Sequence, residues 1–355
     1  MCEPWSISRL QNLREDYVVN RIGKLKGVLA AATLVGMWSL LTPVIAQEEG
    51  AAGEQLANVH TGIPHDAVYD MSISGANGYA VGAFGSILET KDSGASWNNM
   101  ESGTDFALLG VAVNGDKRII VGQRGTVFVG KADGGWEPGT SGTEARLMQV
   151  GVNASGLAVA VGEFGTVIRS KDAGKTWEKL TLDWAGFRED GYEPHIYAVD
   201  VDDAGRIVLG AEFAYVIVST DGGDTWSLTN KGEKSIFSIH LLPEGTGFAV
   251  GQEGLVMKTT DAGNTWSAID AHSDANLFGV WSSKHGEIVI TGQRALLRSS
   301  DNGATWTSST DPEIVRNWFL PIAVGEASAQ TEGAEMVSQI IYIGGHRGRI
   351  VRLLR

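Results

Sequence analysis

Val161-Gly162-Glu163-Phe164-Gly165-Thr166-Val167-Ile168-Arg169-Ser170-Lys171-Asp172-Ala173-Gly174-Lys175-Thr176-Trp177 carries two turn signals separated by one short apolar run. The same order occurs at Ala80-Val81-Gly82-Ala83-Phe84-Gly85-Ser86-Ile87-Leu88, followed by Thr90-Lys91-Asp92-Ser93-Gly94-Ala95-Ser96-Trp97. The leading glycine of the Val-Gly-x-x-Gly turn returns at Gly82, Gly122, Gly162, Gly210, Gly251, Gly292 and Gly345. The closing tryptophan returns at Trp97, Trp136, Trp177, Trp226, Trp266 and Trp306, with spacings of 39, 41, 49, 40 and 40 residues. Short apolar runs precede each glycine, as in Leu109-Gly110-Val111-Ala112-Val113 and Phe237-Ser238-Ile239-His240-Leu241. A fixed period of short, glycine-punctuated strands signals a radial array of small sheets.

Each unit supplies an inner strand A, a strand B ending at the first glycine, a strand C after the second, and an outer strand D after the tryptophan. Glycine suits the B–C turn because it accepts positive φ and close backbone approach. Seven glycine turns therefore predict an all-β chain, a seven-bladed β-propeller with four-stranded blades. Only six tryptophan hairpins follow the turns, and the last unit runs out after its strand C, Arg349-Ile350-Val351-Arg352-Leu353. The missing outer strand is expected from the N-terminal side, near Glu54-Gln55-Leu56-Ala57-Asn58-Val59-His60. Such a strand would cover the sheet edge otherwise left open.

The second half of the unit fits Ser/Thr-x-Asp-x-Gly-x-Ser/Thr-Trp at five places, ending at Trp97, Trp177, Trp226, Trp266 and Trp306. This is the Asp-box hairpin, also called a BNR repeat. Asp92, Asp172, Asp221, Asp261 and Asp301 are read as turn formers that accept from their own backbone, and the tryptophans as packing between sheets. Blade two is degenerate, since Asp133-Gly134-Gly135-Trp136 is too short for the pattern.

The 355 residues include 47 Gly and 11 Trp but only 8 Pro, a balance suited to frequent turns with a repeated aromatic. Net charge is −14, which argues against bulk nucleic-acid binding, a function that draws on clustered Lys and Arg. The lone cysteine, Cys2, cannot form an internal disulfide or a cysteine-based metal site. Arg21, Lys24 and Lys26 precede the uncharged stretch Gly27 to Ala46, which closes on Val44-Ile45-Ala46. That order reads as an export signal over residues 1–46, removed to leave a propeller domain at 47–355, with an uncleaved anchor as the alternative. The expected compartment is the periplasm or a lumen like that of thylakoids, with membrane association open and no membrane-spanning segment after cleavage.

Catalytic chemistry has few footholds. The seven histidines show no zinc-ligand spacing, and the Gly-x-x-Gly elements join strands, unlike phosphate loops, which open helices. Asp boxes occur in sialidases, but those need a tyrosine nucleophile and an arginine cluster, and other glycosidases need two convergent carboxylates. Asp200, Asp202 and Asp203 share one strand and turn and read as channel or turn residues. No catalytic residue, cofactor site or metal site is assigned.

The seven turns and serial Asp boxes, most specifically Val161–Trp177 and Gly251-Gln252-Glu253-Gly254 through Trp266, resemble the photosystem II stability and assembly factor family over roughly residues 54–355. The resemblance implies a non-enzymatic exported scaffold that binds a membrane-protein subunit or assembly intermediate, and a monomer is expected. Members of that family carry an arginine-rich patch. The matching turn positions here hold Arg124, Arg294 and Arg347, with Phe84, Phe164, Phe213 and Glu253 in the other blades. Propeller geometry gathers B–C and D–A loops on one face, the top, and A–B loops and Asp boxes at the bottom. The longest D–A insertion, Asp183 to His195, adds Trp184, Phe187, Arg188 and Tyr192 to the top face. Exposed aromatics beside arginines suit an interface, whereas capping of the blades is the plainer alternative. A second insertion, Gly325 to Glu335, joins strands A and B of blade seven at the bottom and reads as small, acidic and mobile. An accessory propeller of another envelope complex, another secreted ligand-binding propeller and a glycosidase remain open as alternatives.

Overall fold

A computed structural model describes residues 56–354 except Glu189, Glu332 and Gly333, and leaves aside the side chains of 327–338. The expected signal segment and the residues up to 55 lie outside the described residues.

Seven antiparallel sheets of four strands each follow one another along the chain, as the repeat predicts. Blade one is built from Val68–Ser74, Asn77–Gly82, Ile87–Thr90 and Asn98–Met100. The inner strands of blades two to seven are Leu108–Asn114, Leu147–Val152, Ile196–Val201, Ile236–Leu241, Leu277–Ser282 and Phe319–Thr331. In blade seven the outermost strand is Leu56–His60, which pairs Leu56 with Leu353 and His60 with Ile350. The N-terminal closure is thus present.

Strand B is the buried heart of each blade, because a sheet stacked between two others is apolar on both faces. Ala158–Gly162 and Gly247–Gly251 are buried at every residue. The apolar side chains segregate into seven clusters, each joining neighbouring blades. The cluster that closes the ring sets Val68, Met71, Leu88 and Trp97 of blade one against Ala323, Tyr342 and Ile350 of blade seven.

Two expectations change. Gly210 does not lead the blade-four turn. Ala211 holds that place, its N–H donating to the Tyr215 carbonyl as that of Gly82 donates to Ser86. Elsewhere the position requires glycine: a Cβ on Gly82 would lie 1.8 Å from the Ala67 carbonyl oxygen, and one on Gly162 would lie 2.0 Å from that of Arg146. The insertion expected as a mobile loop in blade seven is a continuation of its strands, Phe319–Thr331 and Ala334–Gly345, paired as far as Thr331 with Ala334.

Candidate functional site

The B–C turns form one ring. Each places its second variable residue in the left-handed region: Phe84 at φ 54°, Arg124 at 55°, Phe164 at 53°, Phe213 at 59°, Glu253 at 50°, Arg294 at 60° and Arg347 at 57°. Left-handed backbone is unfavourable for side chains of this size. The turn tolerates it because each is pinned on both sides, for example by the Gly162 N–H on the Thr166 carbonyl at 3.0 Å and the Glu163 N–H on the Arg146 carbonyl at 3.1 Å. The conformation turns the side chains outward. Phe84 is 65% exposed and Phe164 62%, while Arg124, Glu253, Arg294 and Arg347 are also exposed.

The insertion between blades three and four folds onto this ring. Asp183 caps the short helix Trp184–Phe187 by accepting from the Gly186 N–H. Trp184 is buried, at 7% exposure, within the cluster between the two blades, with its indole beneath Gly165. It is therefore a packing residue and does not present itself on the top face as expected. Phe187 packs half-buried against the same cluster, edge-on to Trp184. Arg188 lies 4.4 Å from the Phe213 ring centroid and 5.7 Å from that of Tyr192, and pairs with Asp190 at 2.7 Å. Tyr192 donates to Glu212, which also accepts from the His195 N–H. Arg188, Tyr192 and Phe213 thus form one cluster over blade four.

A second ring lines the central channel and was not read from the sequence. Strand A pairs with strand B out of step at one place in every blade, between Val68 and Asp70 in blade one and between Phe319 and Ile322 in blade seven. The skipped residues are Tyr69, Leu109, Met148, Tyr197, Phe237, Phe278 and, in blade seven, Leu320 with Pro321. A bulge re-aims a side chain. All of these residues line the channel cavity, whose volume is about 630 Å³. The signal in the sequence was a pair of adjacent apolar residues at the start of each strand A, where strict alternation would place only one.

Polar groups lower in the channel hold the blades together. Asp70 accepts from the Val111 N–H at 2.9 Å, Asp200 from Leu241 at 3.0 Å, and His240 Nδ1 from Ser282 at 3.3 Å, in each case on the next blade. Burial pushes Asp70 up to about 7 and Asp200 to about 6, against the opposing effect of these hydrogen bonds. Burial also lowers His240 to about 4.

The bottom face holds the Asp boxes, and all five behave alike. Asp172 accepts from the Thr176 hydroxyl at 2.7 Å and its N–H at 2.9 Å, and the Trp177 indole donates to the Gly174 carbonyl. The threonine hydroxyl and N–H lower the Asp172 carboxyl to about 2. In degenerate blade two the Trp136 indole N–H finds no acceptor. Arg118 occupies the space, donating to the Tyr79 hydroxyl at 2.7 Å and to the carbonyls of Gly134 and Lys131, over the rings of Tyr79 and Trp136. Tyr79, buried at 1% exposure, also donates to Glu89. Asp200 lines the channel, whereas Asp202 and Asp203 belong to a turn. Among the described residues no group of His, Cys, Asp and Glu could hold a metal ion, and no helix is long and apolar enough to cross a membrane.

Comparison with known proteins points the same way as the repeat. The family model for photosynthesis system II assembly factor YCF48 matches residues 229–340, and that for the BNR/Asp-box repeat matches 217–228. Photosystem II assembly lipoprotein Ycf48 of Synechococcus sp. (strain CC9902) is 29% identical over 126 residues, covering 32% of this chain and 37% of that protein. The match therefore spans little more than a third of the relative's length. Among solved structures, YCF48 bound to a D1 peptide aligns with a TM-score of 0.64 at 19% identity, over 85% of this chain and 96% of that one. YCF48 from Cyanidioschyzon merolae gives 0.64 at 17%, over 84% and 98%. A GH74 xyloglucanase from Xanthomonas campestris gives 0.62 at 16%, over 84% of this chain and 53% of that one. At these identities the structural likeness speaks for the fold, which enzymes share. The resemblance read from the turns and Asp boxes is borne out, and the chain is a seven-bladed Asp-box propeller similar to the photosystem II assembly factors.

Proposed function

We propose that the chain is an exported, non-enzymatic scaffold that holds a membrane-protein subunit or assembly intermediate against its top face, acting as a monomer. The observation that carries this reading is the ring of seven left-handed turn residues, which presents two exposed phenylalanines and three exposed arginines on one face. Exposed aromatics and arginines on a rigid frame are the composition of interface anchors. The similarity to Ycf48 proteins supports a client of the photosystem II type, and an envelope complex of another kind would meet the same face. Export over residues 1–46 belongs to this reading and predicts a mature chain beginning at Gln47, which mass spectrometry would verify.

Pull-down from solubilised membranes tests the face. Replacing Phe84, Phe164, Arg124, Arg294 and Arg347 by alanine should abolish capture of the client, with the melting temperature preserved. Replacing Lys175 and Asn264 in the bottom Asp boxes should leave capture intact. Loss with the bottom set and retention with the top set would reverse the assignment.

A further inference from the structure

One level of the inner strands breaks the repeat. The strand-A residue opposite the third residue before each turn leader is Ser72, Ala112, Gly151 or Ala323 in four blades. In blades four, five and six it is Asp200, His240 and Trp281. Small residues satisfy the packing at this level elsewhere, so the fold does not ask for three larger polar ones. Asp200 is engaged by the Leu241 N–H at 3.0 Å. His240 and Trp281 each keep an N–H unused.

His240 Nδ1 accepts from the Ser282 N–H at 3.3 Å and lies 3.0 Å from the Ser282 hydroxyl oxygen. A backbone N–H only donates, so the ring proton sits on Nε2. Burial lowers His240 to about 4, which keeps the ring neutral, and its Nε2–H has no acceptor among the described residues. Trp281, 9% exposed, packs in the core between blades six and seven. Its indole N–H also has no acceptor among the described residues, and, unlike that of Trp136, it is not sealed from solvent.

Both residues line one cleft of about 770 Å³ on the bottom face. The A–B turns of blades five and six form two of its walls, bringing Glu244 from one and Lys284, His285 and Glu287 from the other. The third wall is the long hairpin of blade seven, where Glu326 and Gln339 stand opposite each other. Strand A of blade one turns back after Ser74, opposite Asn77, whereas blade seven runs on to Thr331. That extension is what closes the cleft on this side.

Charge decides what fits. An anion would meet Glu244, Glu287 and Glu326. A cation would meet two N–H donors and the Lys284 ammonium. A neutral hydroxylated ligand suits both sets, because each hydroxyl donates to a carboxylate or amide oxygen and accepts from an N–H. The volume is that of a small-molecule cleft.

We propose that this bottom cleft binds a short neutral saccharide. His240 Nε2–H and the Trp281 indole N–H donate to its oxygens, and Glu326 and Gln339 on the hairpin accept from its hydroxyls. The site lies on the face opposite the turn ring and stands independently of the client reading.

Isothermal titration of the protein with cellobiose, xylobiose, maltose and N,N′-diacetylchitobiose tests the site, with glutarate and putrescine as charged probes. At least one disaccharide should bind saturably with a Kd of about 1 mM or tighter, and neither charged probe should bind. Trp281→Phe keeps an aromatic ring in the core but removes the N–H, and should weaken that disaccharide about tenfold. Glu326→Ala, at an exposed residue of the hairpin wall, should weaken it by about the same factor. Lys175→Ala, in the Asp box of blade three, should leave binding unchanged. The indole proton resonance that Trp281→Phe removes should shift when the disaccharide is added to wild type. If Trp281→Phe melts far below wild type, Glu326→Ala decides the matter. Binding of none of the four disaccharides, or of a charged probe in their place, overturns the saccharide site. Binding that Glu326→Ala and a folded Trp281→Phe both leave unchanged overturns its placement in this cleft.

Discussion

Truncating Trp184 to alanine separates packing from recognition at the residue where the sequence and the structure disagree most. Its side chain is 7% exposed, lies beneath Gly165 and belongs to the core between blades three and four. A tryptophan buries about 150–250 Å², which at about 25 cal/mol per Å² amounts to about 4–6 kcal/mol. Tryptophan-to-alanine changes in cores cost about 3–5 kcal/mol, so a loss in that range is expected. For a domain of this size the melting temperature should fall by about 5–15 °C. Tyr192→Ala, at an exposed residue of the same insertion, should cost under about 1 kcal/mol. The assay is thermal and urea unfolding of the purified propeller, with client capture measured below the transition. A Trp184→Ala protein that melts like wild type but no longer captures the client would refute the packing role and restore Trp184 as an anchor.

Two further predictions concern the frame. Gly162→Ala must move a carbonyl that would otherwise lie 2.0 Å from the new Cβ, and should cost about 2 kcal/mol or more, whereas Ala211→Gly at the equivalent turn should cost about 1 kcal/mol or less. Equal urea midpoints for these two variants would contradict the turn alignment. Asp70 and Asp200 are raised by burial to about 7 and about 6, so their contribution to stability is full below pH 4 and is lost as pH rises towards 7. His240, lowered to about 4, acts oppositely, its contribution being lost as pH falls from 6.5 to 4. The Asp-box carboxyls Asp172 and Asp301, lowered to about 2, give stability that is lost below pH 4. Asp70→Asn should therefore make stability less dependent on pH between 4 and 7, and an unchanged profile would contradict the assignment.

The architecture was legible because its determinants are local and repeated. A glycine pressed against a carbonyl, as at Gly82, and an aspartate that folds its own turn, as at Asp92, leave the same residues in six of the seven turns and in five of the seven units. The N-terminal closure followed from counting hairpins. What escaped the sequence was set by three-dimensional context. Trp184 sits in an insertion without periodicity, so its burial beneath Gly165 had no pattern to announce it. Ala211, at φ −138° where Gly82 is at −164°, leads its turn one residue after Gly210, and a glycine count along the sequence picks the wrong one of the two. The small residues of the blade-seven insertion resemble a loop, yet their backbones continue the hairpin. The channel ring was visible only as paired apolar residues such as Tyr197 after Ile196, which a search for alternation discards.

Site-specific photo-crosslinking tests the central claim most directly. Benzoylphenylalanine would be placed singly at Phe84 and Phe164 on the top face, and at Lys175 and Asn264 on the bottom. The account predicts that a membrane-protein client is covalently trapped from the top positions, and from neither bottom position. Trapping confined to Lys175 and Asn264 would contradict it.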